Sequence, residues 1–494
     1  MKIKVALISF LANSINTRLL SSYLKQHGYE STCYFCPGDF NSNNIVDIIN
    51  KLKDGDISLV GVSLVTDDYI KAVQVTQEIK KHLDIPIIWG GAHVNIKPEE
   101  SLRHADMICM GEGEDALLEL VRKLSEFETL DTSIKNIWFN SEDGIIRNEL
   151  RNLEENLDKY PFPDFDLLSQ FIMEDAGLRQ FDSGTLNSEY SIMTSRGCPY
   201  KCHYCYNSYR SKQYSGKGKY LRTRSIANVI AELLQAKKIF PNLKEINFWD
   251  DSFVARKTED FIDFKNQYTE KIKLPFFALI EPMAYDPSKI KILKESGLAK
   301  LQVGIQSGSE RVNREVYNRP VSNIKVLEVA SSINSMGISV IYDLIFNNPY
   351  ETRNDLDESL KLLLKFPRPF QLQGYNLIFY PGAEITERAL GDGYISLKEN
   401  VEDFSTIQGE KDSPTSRHGD SEVSGRFYLI NYTSQEKLYP NAVISLLALN
   451  KVPLSVFRYF ASQETWLKRL QLKLFYRLYA NLSRLKNGMF GSQL

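Results

Sequence analysis

The fold is decided by a run of nine residues in the middle of the chain, Gly197-Cys198-Pro199-Tyr200-Lys201-Cys202-His203-Tyr204-Cys205. Three of the six cysteines lie within these nine positions. Three thiolates in one tight loop can bind three irons of a [4Fe–4S] cluster, which leaves the fourth iron without a protein ligand. Such an open iron can chelate a small molecule and pass it an electron, whereas a structural metal site normally closes all its positions. The spacing therefore predicts a catalytic cluster at Cys198, Cys202 and Cys205.

Two other interpretations of this loop stay open. It could hold zinc with His203 as the fourth ligand, although His203 adjoins Cys202 and such close neighbours make a tetrahedral shell awkward. The three cysteines could also be unrelated buried side chains. The strand–helix pattern around the loop favours the cluster.

Strands and helices alternate downstream of the loop. Apolar runs predict six strands, at residues 190–195, 245–249, 275–280, 300–305, 338–346 and 371–379. Helical spacing predicts segments between them, such as 225–238 and Pro287–Ser296. These units predict a partial (β/α)6 barrel similar to a TIM barrel, in which chemistry lies at the carboxyl ends of the strands. The cysteine loop directly follows the first of these strands, where that rule places a catalytic site.

A second alternating series precedes the loop. Short apolar runs predict four strands, at residues 4–10, 58–64, 85–89 and 107–110. Helical spacing predicts three helices among them, at residues 17–27, 69–82 and 116–125. This rhythm predicts an open, doubly wound parallel sheet.

The length of 494 residues is too great for one hydrophobic core, so several domains are expected. Residues 1–150 should form the doubly wound domain, and residues 186–390 the partial barrel. The proline-rich stretch 160–164 indicates an extended linker, which we assign to residues 151–185. Residues 391–494 should form a mainly helical C-terminal domain. The fold class is therefore α/β with a helical C-terminal region.

The composition is ordinary for a soluble globular protein, and the N-terminus and the cysteines indicate a reducing cytoplasm. The net charge of −2 gives no general attraction to nucleic acid, so a nucleic-acid partner is not expected. The N-terminus lacks the long apolar region of a signal peptide, and no stretch reaches the roughly 20 apolar residues that span a bilayer. The cysteines are clustered rather than spread through the chain as in a secreted disulfide protein.

The segment 451–494 differs from the rest of the chain. It carries eight basic side chains and the single acid Glu464, a local charge of +7, with aromatic and aliphatic residues interleaved. Such a segment can lie on an anionic membrane surface, which would place the protein at the membrane periphery and favour a lipid substrate. It can also cap the barrel, or form a helix that packs an apolar stripe against the core.

The CxxxCxxC spacing, with the aromatic Tyr204 before the last cysteine, resembles the radical S-adenosylmethionine (SAM) superfamily. This resemblance implies that the open iron binds the amino and carboxylate groups of SAM. Reductive cleavage of SAM in that family yields a 5′-deoxyadenosyl radical, which abstracts a hydrogen atom. The resemblance therefore also implies an electron donor such as flavodoxin or ferredoxin.

The resemblance extends to residues after the later strands. Asp250 and Asp251 follow the second barrel strand, where the family holds the methionine amino group, and an acidic side chain facing an ammonium is favourable. An ordinary acidic loop is the alternative for these two residues. Gln306 and Ser307 follow the fourth strand and resemble the motif that contacts the ribose. Arg319 falls where relatives bind the methionine carboxylate.

The N-terminal domain resembles the cobalamin-binding domain that accompanies some of these barrels. The resemblance rests on Ser63, on Glu112, and on Gly90 and Gly91, which let a large cofactor approach the backbone. Many such domains carry a cobalt-binding histidine after the first strand, but residues 11–16 contain none. The cobalt would then lack a protein ligand on its lower face. A domain that has lost the cofactor would show the same absence.

Three further side chains are interpreted as packing residues. His93 could be a cobalt ligand, but a loop histidine packed against the sheet edge is the preferred interpretation. Cys33 and Cys36 have the spacing of a redox pair, yet no active-site turn precedes them. Small apolar side chains in a strand explain them better.

Together these resemblances imply methyl transfer through cobalamin to an unactivated carbon, or a phosphorus, of a small-molecule or lipid substrate. Three alternatives remain. The same cofactors serve ring-forming and rearrangement enzymes that transfer no methyl group. A tRNA methylthiotransferase shares the barrel but carries a second cysteine trio, which Cys33, Cys36 and Cys109 do not form. A cobalamin-binding module without catalysis would need no cluster with an open iron.

Overall fold

The computed structural model describes residues 3–38, 42–126, 131–186, 188–397, 428–430 and 459. Within them, two large sheets dominate, one in the N-terminal part and one in the C-terminal part. Both consist mainly of parallel strands, as the alternating sequence pattern predicts.

The N-terminal sheet has nine strands: β1 (Lys4–Ser9), β2 (Glu30–Phe35), β3 (Leu59–Ser63), β4 (Ile87–Gly90), β5 (Met107–Cys109), β6 (Ile137–Ser141), β7 (Gly144–Ile146), β8 (Gln170–Glu174) and β9 (Gly177–Gln180). Their order across the sheet is β7-β6-β5-β4-β3-β1-β2-β8-β9. Strands β1 to β5 and β8 pair in parallel, whereas β6, β7 and β9 form antiparallel edges.

Helices cover both faces of this sheet: α1 (Ile15–Gln26), α2 (Ser42–Asp54), α3 (Tyr69–His82), α4 (Ala92–Ile96), α5 (Pro98–Leu102) and α6 (Glu114–Glu126). Successive residues of a strand point to opposite faces. Val5 and Leu7 accordingly belong to a buried cluster with α1 and α6, and Ala6 and Ile8 to another with α2 and α3. The doubly wound architecture is confirmed.

The strand order reverses at β1, which lies between β2 and β3. In a doubly wound sheet, the ligand crevice opens at such a switch point, outside the carboxyl ends of the strands. Here β1 ends at Ser9 and β3 ends at Ser63, directly beside each other in register. The fold therefore places a crevice at Ser63.

The segment that follows this domain is more than a linker, because it adds β8 and β9 to the sheet beyond β2. Arg18 fastens it to the domain. The guanidinium lies 4.0 Å from the ring centre of Phe35 and 4.7 Å from that of Phe181, and Nε donates to Gln170 Oε1 at 3.1 Å. The expectation of a plain linker over residues 151–185 missed these strands because polar residues flank the apolar part of β8 and make up half of β9, so neither stands out as an apolar run.

The remaining strands are β10 (Glu189–Ile192), β11 (Ser195–Arg196), β12 (Arg222–Thr223), β13 (Glu245–Phe248), β14 (Phe276–Ile280), β15 (Leu298–Gln306), β16 (Ser339–Phe346), β17 (Gln371–Asn376), β18 (Ile395–Leu397) and β19 (Tyr428–Ile430). Six of them form a parallel sheet in the order β10-β13-β14-β15-β16-β17. The edge strands β10 and β17 do not pair with each other, so the sheet is open. All six strands predicted for the partial barrel are present.

The helices of this part are α7 (Tyr206–Gln213), α8 (Ile226–Ile239), α9 (Thr258–Lys271), α10 (Pro287–Ser296), α11 (Asn323–Ser335), α12 (Arg353–Leu363) and α13 (Glu384–Gly391). Helix α10 coincides with its predicted range because Asp286 caps it and Pro287 starts it. The short strands β11 and β12 form an antiparallel ribbon that sets Arg196 opposite Arg222.

The helical C-terminal domain expected for residues 391–494 lies mostly outside the described residues. The basic segment 451–494 lies outside them as well, except for Tyr459. The described part of this region includes β18 and β19, which pair antiparallel. Among the described helices, none combines the length and apolar character needed to cross a bilayer.

Candidate active site

The cluster loop, residues 197–205, connects β11 to α7. Gly197 opens it with a φ of +86°, and a Cβ there would lie 2.5 Å from the Tyr220 carbonyl oxygen, so glycine is required. The amide of Cys205 donates to the Cys202 carbonyl at 3.0 Å, which tightens the loop. The thiols of Cys198, Cys202 and Cys205 are free and half-buried.

Backbone amides face two of the three sulfurs. Burial raises the pKa of Cys198 and of Cys205, and hydrogen bonding to the backbone amides of Tyr200 and Asn207, respectively, acts in the opposite direction. Hydrogen bonds of this kind stabilise thiolates that ligate iron and tune the cluster they hold. The donor set of three thiols with amide support therefore fits a [4Fe–4S] cluster.

His203 is engaged elsewhere. Its Nδ1 lies 3.1 Å from the Val316 carbonyl oxygen, and its Nε2 lies 3.3 Å from Glu384 Oε1. With both ring nitrogens engaged, His203 has none left to act as the fourth ligand of a zinc site. Throughout the described residues, no three His, Cys, Asp or Glu side chains are grouped to hold a single metal ion.

Arg319, the predicted contact of the methionine carboxylate, meets Tyr204, the aromatic residue of the cluster loop that the family resemblance also implies to be cofactor-binding. Arg319 is only 1 % exposed, and it donates from Nη1 to Tyr204 Oη at 3.1 Å and from Nη2 to the Gly304 carbonyl at 2.7 Å. Its Nε is buried without a hydrogen-bond partner in the described structure. A buried guanidinium with a spare N–H suits a carboxylate such as that of SAM.

The two aspartates predicted to bind the SAM ammonium take different places. Asp250 is buried, and its Oδ1 accepts hydrogen bonds from the amide and hydroxyl of Thr194 and from the Ser195 hydroxyl. It therefore anchors the chain that leads into the cluster loop. Asp251 is exposed, lines a cavity beside the loop and is bonded to the Asn207 side chain. Of the two carboxylates, that of Asp251 is open to a ligand.

Gln306 and Ser307, predicted to contact the ribose, lie at the carboxyl end of β15. Gln306 has a φ of +64°, where β15 shifts its register against β16. Ser307 is buried, and its hydroxyl donates to Glu351 Oε1 at 3.2 Å. Gly308 packs so closely on α12 that a Cβ would lie 2.3 Å from Ser359 Cα. The end of β15 at Ser307 and Gly308 thus packs against α12, whereas Gln306 is half-buried at the edge of the sheet.

Glu281 is a candidate that sequence reasoning missed. It follows β14 at the same edge, and its Oε2 accepts a hydrogen bond from Ser252 Oγ at 3.2 Å. Burial raises the pKa of Glu281 to about 7, although the Ser252 hydroxyl and Arg319 act in the opposite direction. The available signal was an acid directly after a buried strand, at the end where barrel chemistry lies.

A cavity of about 410 Å³ lies between the two sheets, over the carboxyl ends of the N-terminal strands. Its wall on that side includes all four residues predicted to contact cobalamin, Ser63, Gly90, Gly91 and Glu112. On the barrel side it reaches the start of the cluster loop and Asp251. The four predicted cobalamin contacts and one predicted SAM contact, Asp251, therefore share one cavity.

The wall of this cavity at the end of β4 depends on glycine. Gly91 has a φ of +105°, and a Cβ there would lie 2.4 Å from the Leu64 carbonyl oxygen. This turn lies at the switch point of the sheet. Because its glycines carry no side chains, its backbone is exposed to the cavity. This cradle fits a large flat cofactor such as cobalamin.

Glu112 also joins the two domains. Its carboxylate pairs with Arg196 at 3.1 Å and with Arg222, and Glu114 pairs with Arg196 as well. Burial alone would raise the pKa of Glu112, but the two guanidinium groups outweigh burial and hold that pKa at about 2. Because Arg196 directly precedes the cluster loop, this network ties the cobalamin side of the cavity to the cluster side.

The remaining sequence candidates are packing residues. His93 is buried, with its Nδ1 3.4 Å from Thr66 Oγ1 and its ring centre 4.7 Å from that of Tyr69. It is not part of the cavity wall. Cys33 and Cys36 are buried in different clusters, on opposite faces of the sheet.

Comparison with known proteins gives two family matches. Residues 1–121 match the B12 binding domain, and residues 192–363 match the radical SAM superfamily. An uncharacterized methyltransferase of Pyrococcus horikoshii is 28% identical over 366 residues, which cover 73% of this chain and 75% of that protein. The bacteriochlorophyllide d C-8(2)-methyltransferase of Chlorobaculum tepidum is 24% identical over 70% of this chain and 71% of its own length.

The fold is also found in a solved structure. The radical SAM methyltransferase TsrM of Kitasatospora setae, solved with cobalamin and a [4Fe–4S] cluster bound, superposes with a TM-score of 0.61 at 16% identity. The match covers 80% of this chain and 77% of TsrM. The cofactors of this site are accordingly a [4Fe–4S] cluster, SAM and cobalamin. The chain belongs to the B12-binding radical SAM enzymes, in the family of cobalamin-dependent radical SAM methyltransferases.

Proposed function

We propose that this methyltransferase adds a methyl group to an unactivated carbon, or to a phosphorus, of a small-molecule or lipid substrate. One observation carries the proposal: a single cavity is bounded by the strand ends of the cobalamin domain and, on the barrel side, by Gly197 at the start of the cluster loop and by Asp251. When bound, the cluster supplies the electron that cleaves SAM, and cobalamin supplies the methyl group. A radical formed on the substrate in this cavity would lie next to the methyl donor.

The side chains of the site have separate tasks in this proposal. Cys198, Cys202 and Cys205 ligate the cluster, with the fourth iron left to SAM. Arg319 meets the carboxylate of SAM through its spare Nε, and Asp251 meets the ammonium. These assignments rest on a buried donor without a partner and on a carboxylate open to the cavity.

The residues of the cobalamin wall also have separate tasks. Ser63, Gly90 and Gly91 present a flat surface at the switch point, where a corrin can approach the backbone. Glu112 acts by holding Arg196 and therefore the start of the cluster loop. Its part is positioning rather than direct ligation of either cofactor.

Carbon methylation is favoured by the relatives. The protein of Chlorobaculum tepidum is named for methylation at a numbered carbon of bacteriochlorophyllide d. For the substrate of this chain, we propose only the class, a small molecule or a lipid. Contact with a membrane through the basic segment 451–494, and a cytoplasmic location, remain predictions from sequence.

The test uses full-length protein reconstituted under anaerobic conditions with iron, sulfide and hydroxocobalamin. A strong reductant and SAM carrying a CD3 group are added, and the products are measured by mass spectrometry. We expect both 5′-deoxyadenosine and S-adenosylhomocysteine, with the CD3 label transferred to the corrinoid. Cys202→Ala should abolish 5′-deoxyadenosine. Formation of 5′-deoxyadenosine without S-adenosylhomocysteine or label transfer would instead support a ring-forming or rearrangement enzyme.

A further inference from the structure

Helix α7 forms part of the cavity wall on the barrel side. It begins directly after Cys205 and packs against α4 and the turn that follows β5. Tyr209 Oη donates to the Asn95 carbonyl at 2.9 Å, and the Glu112 amide donates to Tyr214 Oη, just beyond the helix, at 2.9 Å. One end of this helix therefore holds the cluster loop, and its length lies against the cobalamin domain.

Two side chains of α7 that line the cavity carry polar atoms without a hydrogen bond. They are Tyr206 and Arg210, which lie four residues apart and hence on one face of the helix. The hydroxyl of Tyr206 and the Nε of Arg210 are both buried, and neither makes a hydrogen bond of normal geometry. Buried polar atoms without partners are rare in folded proteins, so a ligand is the natural explanation.

Arg210 is the exception among the arginines of this cavity wall. The other three each pair with a carboxylate: Arg196 with Glu114, Arg222 with Glu112 and Arg224 with Glu232. Within the part of the chain that the structure describes, Arg210 makes no such ion pair.

Arg210 lies between the cobalamin domain and Asp251 of the barrel. Its guanidinium carbon lies 5.2 Å from the ring centre of Tyr214 and 5.9 Å from that of Tyr206, which hold it in place. The charge of Arg210 lowers the pKa of Glu112 and of Cys109 on the cobalamin side, and that of Asp251 on the barrel side, in each case against the larger effect of burial. The carboxyl end of β5 borders the same cavity as Ser63 and Gly90.

We infer that Tyr206 and Arg210 bind the carboxamide side chains at the rim of the corrin ring. A carboxamide oxygen accepts hydrogen bonds from a guanidinium and from a phenol, which are the two donors present here. The inference rests on cobalamin as the cofactor and is independent of which group is finally methylated. Because α7 starts at a cluster cysteine, these contacts also fix the corrin relative to the cluster.

A negatively charged group of the substrate would meet the same two donors. Contacts to the corrin can be told apart from contacts to the substrate, because corrin binding can be measured with no substrate present. Contacts to the corrin rim can also be told apart from contacts to the nucleotide tail of cobalamin, because cobinamide lacks that tail. The experiment therefore compares hydroxocobalamin with aquocobinamide.

Full-length protein with its cluster reconstituted is titrated with each corrinoid, and binding is followed by visible absorption. Arg210→Met should raise both dissociation constants about tenfold, the size of one charge-assisted hydrogen bond. Tyr206→Phe should raise both about threefold. Lys212→Met is the matched control, because Lys212 lies on the exposed side of α7 and pairs with Glu384; it should change neither constant.

Two outcomes would overturn the inference. Unchanged corrinoid binding in Arg210→Met would leave the arginine to another ligand, such as an anionic substrate group. Weakened binding of hydroxocobalamin alone would assign Arg210 to the nucleotide tail. Iron content and the thermal midpoint show whether a variant has lost its cluster or its fold, and a failure of methyl transfer would leave these binding results unaffected.

Discussion

Glu281 shows how burial changes the ionisation of one side chain at this site. Burial raises its pKa from 4.5 to about 7. The folded chain therefore holds this proton more tightly than the unfolded chain, and Glu281 lowers the stability of the folded state progressively as pH rises from 4.5 to 7. Above that range the loss is complete.

We predict that Glu281→Gln removes this loss in cluster-free protein. Between pH 4.5 and pH 7.5, the free energy of unfolding of the variant should rise relative to that of wild type by up to about 3 kcal/mol. Urea unfolding at the two pH values measures the gain. Glu259→Gln, at an exposed position of α9, is the control and should follow wild type. Identical pH dependence in all three proteins would show that Glu281 is not ionised in the way the structure implies.

The sequence predicted the cluster cysteines and the strand-end candidates because their positions follow from local patterns. Cys198, Cys202 and Cys205 are close in sequence, and a residue after a buried strand must lie at the edge of the sheet. The different places of Asp250 and Asp251 could not be predicted, because they depend on which side chain meets Thr194, more than 50 residues away.

At the scale of elements, the turn after β4 depends on one glycine. Gly91→Ala should strain a backbone at a φ of +105° and push a methyl group against the Leu64 carbonyl. We expect a lower thermal midpoint and at least a tenfold weaker affinity for hydroxocobalamin. Gly144→Ala is the matched control, since Gly144 has a φ of +116° but no atom within 4 Å of the added Cβ. It should cost about 1–2 kcal/mol from strain alone and leave cobalamin binding unchanged. Equal losses of cobalamin affinity in Gly91→Ala and Gly144→Ala would contradict a role of the Gly91 turn in cobalamin binding.

Most elements could be predicted from hydrophobic periodicity, and the failures have physical reasons. Helices α3 and α10 coincide with their predicted ranges, and the parallel strands β1, β3, β4 and β5 each show an apolar run. Strand β8 was missed because it joins the sheet through pairing with β2, far away in sequence, and β9 was missed with it because β9 pairs only with β8. The network of Glu112 with Arg196 and Arg222 was missed for the same reason, because only tertiary structure brings these residues together.

At the scale of the whole molecule, this network connects the two cofactor domains. Glu112→Gln should leave the buried guanidinium of Arg222 without its carboxylate partner, whereas the half-buried Arg196 keeps Glu114. The substitution should cost about 3 kcal/mol, as a broken buried ion pair does. Glu119→Gln is the control, since Glu119 pairs with Arg151 and Lys123 at the surface of the N-terminal domain. It should cost less than about 1 kcal/mol. Thermal midpoints of the two variants give the comparison, and equal losses would contradict a connecting role.

The same network makes a prediction about pH. The pKa of Glu112 lies at about 2 instead of 4.5, so its stabilising contribution is present above pH 4.5 and is lost as pH falls toward 2. Wild type should therefore lose stability over this range more steeply than Glu112→Gln. Parallel acid-unfolding curves for the two proteins would contradict this.

The central claim is that one cavity holds cobalamin beside the cluster loop, and electron paramagnetic resonance tests it most directly. Protein loaded with both cofactors is measured with cobalt in the cob(II)alamin state and the cluster reduced. We predict that the two paramagnets interact, so that the cobalt signal broadens and relaxes faster than in Cys202→Ala loaded with cobalamin alone. A spectrum that is the simple sum of an isolated cob(II)alamin and an isolated cluster would contradict the shared cavity.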